Sequence, residues 1–260
     1  MGTGHQFCLL GQFLGRFQDS HGSSIRHRNI ATLPCRKAPI LESPHELVLS
    51  ECQTFLFNKN GGPLLNRDGL VEYIPRLFSR DESEELFQEL LTTTPWQHDE
   101  VILFGQKRVL SRKVAWLGDG GFSYSYSGTS KTASSWSPPL LLIKQRVEHQ
   151  CAYRFNSCLL NLYHDGSEGM GWHSDDEKTL GRNPVIASVS FGAERIFKLK
   201  HRESKEVVSK LLENGSLLLM RGETQHHWSH TMPKTKKITT PRINLTFRMF
   251  LGLEAADQIP

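Results

Sequence analysis

The sequence predicts an α+β domain, on three observations. Apolar residues recur at helical spacing in two segments ahead of residue 151. Beyond Phe155 the period falls to two through a series of short segments. Turn-rich pieces such as His164-Asp165-Gly166-Ser167 and Gly181-Arg182-Asn183-Pro184 separate those segments, as they separate strands. Helices first and then many strands make an α+β arrangement.

Taken in order, residues 1–62 read as a basic leader outside the folded domain. Up to Ile40 its acid is Asp19, set against Arg16, Arg26, Arg28, Arg36 and Lys37. With no sustained period, it is expected to be a disordered extension, and its acid-poor, Arg- and Ser-containing start also fits an organellar transit peptide. The folded domain is expected over 63–254, followed by a tail at 255–260. Leu70-Val71-Glu72-Tyr73-Ile74 alternates like a strand. Ser79-x-x-Glu82 is a capping box that starts a helix, and Leu86, Phe87, Leu90 and Leu91 form its apolar stripe. Trp136 to Gln150, opened by Pro138-Pro139, reads as a second helix whose Leu-rich face should lie on a sheet. The strands expected beyond it are Cys158–Tyr163, Val185–Phe191, Arg195–Lys200, Glu206–Lys210, Ser216–Met220 and Arg242–Phe250.

Composition excludes several classes. In 260 residues, 38% hydrophobic and 22% charged content is that of a globular protein with a substantial core. Cys8, Cys35, Cys52, Cys151 and Cys158 are odd in number and lack C-x-x-C spacing. That argues for a reducing compartment and against both a disulfide framework and a zinc site. A net charge of +4 permits nucleic-acid binding without requiring it. No membrane span is expected: the apolar stretch Phe7–Leu14 is broken by Gln12 and too short to cross. It also lacks the basic region of a secretory signal, and Gln6 stands where myristoylation wants Ser or Thr.

The chemistry concentrates in His173-Ser174-Asp175, in His230, and in Arg242-Ile243-Asn244-Leu245-Thr246-Phe247-Arg248. Two imidazoles and a carboxylate make a facial iron(II) site with open positions. His173 and Asp175 are alternate residues, so on extended chain both point one way. His226 and His227 are rivals to His230 but read as neighbouring or surface histidines. In the last segment Arg242, Asn244, Thr246 and Arg248 share one face, opposite Ile243, Leu245 and Phe247. Two guanidiniums beside a metal site suit a dicarboxylate, which a planar guanidinium grips bidentately. Iron plus a dicarboxylate points to a 2-oxoglutarate-dependent oxygenase. Asn161 and Tyr163 alternate in the same way against Leu160 and Leu162.

From about Gly69 to Gly252 the chain resembles the AlkB family of iron(II)/2-oxoglutarate nucleic-acid demethylases. Asn161-Leu162-Tyr163 followed by His173-Ser174-Asp175-Asp176-Glu177 is similar to its N-x-Y and H-x-D-[DE] motifs. Ile186–Ala193, Gly215–Met220, Trp228-Ser229-His230 and the R-x-N-x-T-x-R run from Arg242 complete the pattern. The resemblance sharpens the fold to a double-stranded β-helix, or jelly roll, with flanking helices and an N-terminal nucleotide-recognition lid at about 100–130. It implies iron(II) on His173, Asp175 and His230, with 2-oxoglutarate and O2 as co-substrates and ascorbate as reductant. Arg242 would pair with the distal carboxylate of 2-oxoglutarate, helped by Tyr163 and Asn244. Arg248 and Asn161 would hold the end that meets iron, with Thr246 nearby.

For the substrate, the resemblance implies alkylated DNA, with 1-methyladenine and 3-methylcytosine demethylated to release formaldehyde, succinate and CO2. Alternatives are the same chemistry on RNA, an oxygenase acting on a protein or small molecule, or a silent nucleic-acid-binding module. Asp176 and Glu177 stand where carboxylates meet the cationic base. Arg112 and the stretch around Tyr124 and Tyr126 look like the recognition lid, whose tyrosines could stack on a flipped base. Phe104-Gly105 matches an apolar finger that wedges into duplex DNA. Lys107, Arg108, Lys234, Lys236 and Lys237 are candidates to grip phosphates. A monomer is expected, acting in the nucleus or nucleoid, with a mitochondrial or plastid address left open by the leader.

Overall fold

The structure, a computed structural model, describes residues 63–103, 106–120, 123–126 and 129–251. The leader, the tail and Phe104-Gly105 lie outside the described residues.

The hydrophobic pattern builds two facing sheets and one layer of helices. Strand β1 (Leu70–Ile74) leads to helix α1 (Arg80–Thr93). The Ser79 hydroxyl accepts from Glu82 N–H at 3.3 Å, and the Glu82 carboxylate accepts from Ser79 N–H at 2.9 Å. This is the expected reciprocal capping box. Strands β2 (Gln97–Leu103), β3 (Gln106–Gly118), β4 (Ser123–Tyr126) and β5 (Thr129–Thr132) follow, and then helix α2 (Pro138–Cys151). Helix α2 begins two residues later than expected, with Ser137 at the N-cap position and the prolines at N1 and N2, where no amide hydrogen is needed. Beyond it run β6 (Ser157–Tyr163), β7 (Met170–His173), β8 (Ile186–Gly192), β9 (Arg195–His201), β10 (Val207–Leu212) and β11 (Ser216–Arg221). A short helix α3 (Thr224–His227), β12 (Trp228–Met232) and β13 (Arg242–Arg248) close the domain.

The larger sheet has the order β1-β11-β8-β13-β6-β3-β2 and the smaller β10-β9-β12-β7, with neighbouring strands antiparallel. Strands β4 and β5 pair as a separate hairpin. This is the jelly roll. Strands β2 and β3, which carry the expected lid region, extend the edge of the larger sheet by pairing β3 with β6.

Alternation assigns the two faces of the larger sheet. Leu160, Leu162, Val189, Leu219, Ile243, Leu245 and Phe247 pack against Phe87, Leu90, Leu140, Ile143 and Val147 of the helices. In the leucine run of α2, Leu140 turns to the sheet while Leu141 and Leu142 stay exposed. On the opposite face, Val71, Ile186, Leu218 and Met220 meet Leu199, Leu212 and Trp228 of the smaller sheet. Arg242, Asn244 and Thr246 share that inner face and are buried with it, because β13 is a central strand flanked by β6 and β8. Polar side chains between two sheets are stable only around something polar. The fold therefore makes a site here before any ligand is considered.

Candidate active site

Pairing of β12 with β7 sets His230 directly opposite His173. Their rings lie 4.2 Å apart between centroids, and one ligand atom from each of His173, Asp175 and His230 falls within 4.8 Å of the others. The carbonyl of Gly171 lies 2.9 Å from His173 Nδ1. A proton on Nδ1 fixes the tautomer and leaves the Nε2 lone pair for a metal. Asp175 is held twice. Its N–H donates to Gln225 Oε1 at 2.9 Å, and its Oδ2 lies 3.0 Å from Arg248 Nη2. Phe197 stacks on His230 at 5.3 Å.

Charge at this site follows from burial and from its neighbours. Burial alone would raise the Asp175 carboxyl, but Arg248, then His230 and His173, outweigh it and hold the carboxyl below its ordinary range. Burial pushes His230 down to about 4, against the pull of Asp175. His230 is thus neutral at pH 7 and has a lone pair to give. A folded value below the unfolded one near 6.5 means that the unfolded chain takes up the proton first. Stability from this group is full above pH 6.5 and falls as pH drops toward 4. Metal-free protein is expected to lose about 3 kcal/mol over that window. Urea melts at pH 7 and pH 4.5 of wild type and His230→Gln check this: the variant should show a smaller loss.

Behind the triad, Arg242 is 3% exposed. Its Nη2 donates to Ser190 Oγ at 2.9 Å, its guanidinium lies 5.6 Å from the Tyr163 ring centre, and its Nε has no acceptor. Burial brings Arg242 down to about 10, with Arg195 adding to the effect and Tyr163 opposing it. Asn244 donates to Ser188 Oγ and to the Val189 carbonyl, and its Oδ1 accepts from Thr246. Asn161 Oδ1 is buried without a donor.

These groups line two cavities that share a wall. One, of about 70 Å³, lies between the sheets and is bordered by Tyr163, Arg242, Asn244 and Thr246. The other, of about 140 Å³, opens past Asp99, Arg112, Val114, Trp116 and Glu177. His173, Asp175, Asn161 and Arg248 border both.

Of the expected residues, the structure therefore brings together His173, Asp175, His230, Asn161, Tyr163, Arg242, Asn244, Thr246, Arg248, Arg112 and Glu177. Asp176 stands apart: it is half exposed, borders neither cavity, and lies 3.3 Å from Arg202. Tyr124 and Tyr126 lie on β4, and Phe104-Gly105 falls outside the described residues. Sequence reasoning passed over Asp99, Ser188, Ser190 and Gln225. The two serines had a signal, as alternate polar positions in an otherwise apolar strand. Asp99 and Gln225 had none.

A family model described as the 2OG-Fe(II) oxygenase superfamily matches residues 70–248. The "DNA oxidative demethylase ALKBH2" of Bos taurus is 40% identical over 186 residues, covering 67% of each chain. The chain belongs to the AlkB family of 2OG-Fe(II) oxygenases. ALKBH2 of Arabidopsis thaliana is 37% identical over 206 residues, covering 69% of this chain and 66% of that one. "Alpha-ketoglutarate-dependent dioxygenase alkB homolog 3" of Homo sapiens is 33% identical over 231 residues, covering 79% of each. A solved structure titled "The structure of OsALKBH1" superposes with a TM-score of 0.50 over 71% of this chain and all of that one. At 18% identity, that likeness speaks for the fold.

The family uses iron(II), 2-oxoglutarate and O2, and the residues fit. Two imidazoles and a buried carboxylate are a suitable donor set for iron(II). The buried Arg242 guanidinium, with an unmatched Nε and no carboxylate partner among the described residues, fits a carboxylate ligand.

Proposed function

We propose that this dioxygenase reverses alkylation damage in DNA by oxidative demethylation of N-methylated bases, with 1-methyladenine and 3-methylcytosine as substrates. The observation that carries this reading is the pair of cavities sharing the His173–Asp175 wall. One is suited to the co-substrate, and the other opens outward for a base. Its support from relatives is the DNA oxidative demethylase activity that their names state.

In this reading, iron(II) with 2-oxoglutarate and O2 supplies the oxidising chemistry, releasing succinate and CO2. His173, Asp175 and His230 hold the metal, with Gly171, Gln225 and Arg248 fixing the orientation of the first two. Arg242, Tyr163 and Asn244 take the distal carboxylate of 2-oxoglutarate, and Arg248, Asn161 and Thr246 border its inner end. Arg112 and Glu177 border the cavity for the extruded base, on which Tyr124 and Tyr126 would stack, whereas Asp176 is turned to Arg202 outside it. The hydroxylated methyl group leaves as formaldehyde when the N–CH2OH product collapses: the electrons of the N–C bond return to the ring nitrogen, the hydroxyl proton is released, and the base becomes neutral. Phe104-Gly105 fills the gap in the duplex. Ascorbate keeps the metal reduced in an assay. The enzyme acts as a monomer, in the nucleus or nucleoid, and the acid-poor 1–40 stretch is compatible with an organellar address.

The test is mass spectrometry of an oligonucleotide bearing one 3-methylcytosine, as single strand and as duplex, with a His173→Ala control. Loss of one methylene mass with wild type alone is expected. Succinate release without any mass loss on DNA would redirect the reading to RNA or protein. Phe104→Ala is expected to lower duplex activity about tenfold while sparing single strands, through loss of the wedge. Equal loss on both sinks the finger.

A further inference from the structure

The wall of the outer cavity contains a charge pair that neither the metal nor the co-substrate requires. Strands β2 and β3 pair out of register between His98 and Glu100: His98 faces Lys113, but Glu100 faces Val109. The surplus residues on β3 make a bulge, and bulges re-aim side chains. His98 Nδ1 lies 3.1 Å from the Leu110 carbonyl within it. Asp99 and Arg112 both turn inward at this point, leaving 4% and 7% exposed. Arg112 Nη2 donates to Asp99 Oδ2 at 2.5 Å, and Nη1 lies 3.1 Å from the neutral sulfur of Met170. Arg112 Nε is buried with no acceptor. Both residues border the outer cavity, together with His173 and Asp175.

A buried unpaired guanidinium beside a cationic base would repel it strongly, since little water intervenes to screen the two charges. We propose that Asp99 sets the preference for cationic over neutral lesions by cancelling the charge of Arg112 inside the base cavity. This rests on the demethylase reading above. Charges around the cavity then come as Asp99 with Arg112 and Asp175 with Arg248, and Glu177 adds a further carboxylate. Arg112 keeps its geometry and its spare Nε–H, which offers a hydrogen bond to a carbonyl or ring nitrogen of the base at no cost in net charge. Asp99 acts through Arg112 and is a positioning and specificity residue.

The test compares 3-methylcytosine, a cation, with 3-methylthymine, a neutral base of nearly the same shape. Full-length, iron-loaded enzyme is assayed on oligonucleotides carrying one lesion. Asp99→Asn keeps an acceptor beside Arg112 but leaves its charge uncancelled. The ratio of kcat/KM for 3-methylcytosine over 3-methylthymine is expected to fall about tenfold. Arg112→Gln, which leaves the Asp99 carboxylate uncancelled, should raise the ratio above that of wild type, and the double variant, neutral as wild type is, should return it to the wild-type value. Anisotropy of the same oligonucleotides on Mn(II)-loaded protein should show the same change in the ratio of Kd values. If Asp99→Asn does not fold, Arg112→Gln against the double variant reads the same charge, and equal ratios overturn the proposal. Equal losses on both bases in Asp99→Asn also overturn it, leaving the pair a purely structural role. Wild type that releases succinate but demethylates neither base overturns the demethylase reading and the proposal with it.

Discussion

Arg242→Met is expected to weaken 2-oxoglutarate binding severely while leaving the protein as stable as wild type or more so. The guanidinium is buried, its pKa is depressed to about 10, and its described partners are the Ser190 hydroxyl and the Tyr163 ring. With no carboxylate partner among the described residues, this guanidinium carries a desolvation cost that an apolar side chain of similar length does not. The 2-oxoglutarate KM should rise by about two orders of magnitude, since a charge-assisted bidentate contact is lost. Thermal melts with Mn(II) separate the two effects. Saturating 2-oxoglutarate should raise the Tm of wild type, by about 2.7 kcal/mol of stabilisation at one hundred times Kd. The same concentration should stabilise the variant by only about 0.4 kcal/mol. A variant that melts well below wild type without ligand would show that Arg242 is structural, and the co-substrate assignment would fall.

Asp175→Asn should have the opposite profile, losing both activity and stability. The carboxylate is 4% exposed, faces the two imidazoles and lies 3.0 Å from Arg248 Nη2. The amide keeps the shape and the backbone bond to Gln225 but removes the charge that a divalent metal and Arg248 both need. Metal-free protein should be destabilised by about 3 kcal/mol, the scale for breaking a buried ion pair from one side. Fe(II)-dependent succinate release should fall below detection. Urea denaturation and isothermal titration with Mn(II) provide the two measurements. Retained metal affinity would remove Asp175 from the ligand set.

The elements legible in the sequence were those whose side chains alternate cleanly. Strand β13 was readable because Ile243, Leu245 and Phe247 face the helices while Arg242, Asn244 and Thr246 face the other sheet. Helix α1 announced itself through the Ser79–Glu82 box. Strand β12 was missed although Trp228, His230 and Met232 are all buried, because a histidine in the middle breaks an apolar count. Strand β7 is too short, and Gly171 and Trp172 lie exposed within it. Strand β3 changes phase at its bulge, so no single period runs its length. The metal and co-substrate residues were legible because their chemistry is unusual for their position. Asp99 and Gln225 were not, since an acid or amide becomes informative only when pairing brings it to a distant Arg112 or Asp175.

The central place of β13 also has a consequence for how the protein is made. It is the last strand among the described residues, yet it lies between β8 and β6, both of which precede it by many residues. Until the ribosome has released Arg248, the nascent larger sheet has two open edges where its middle should be, each able to pair with another chain. Fold closure and completion of the 2-oxoglutarate pocket are therefore one event. A half-made chain has neither activity nor a closed sheet, and pulse-chase proteolysis should find protection arriving in a single late step.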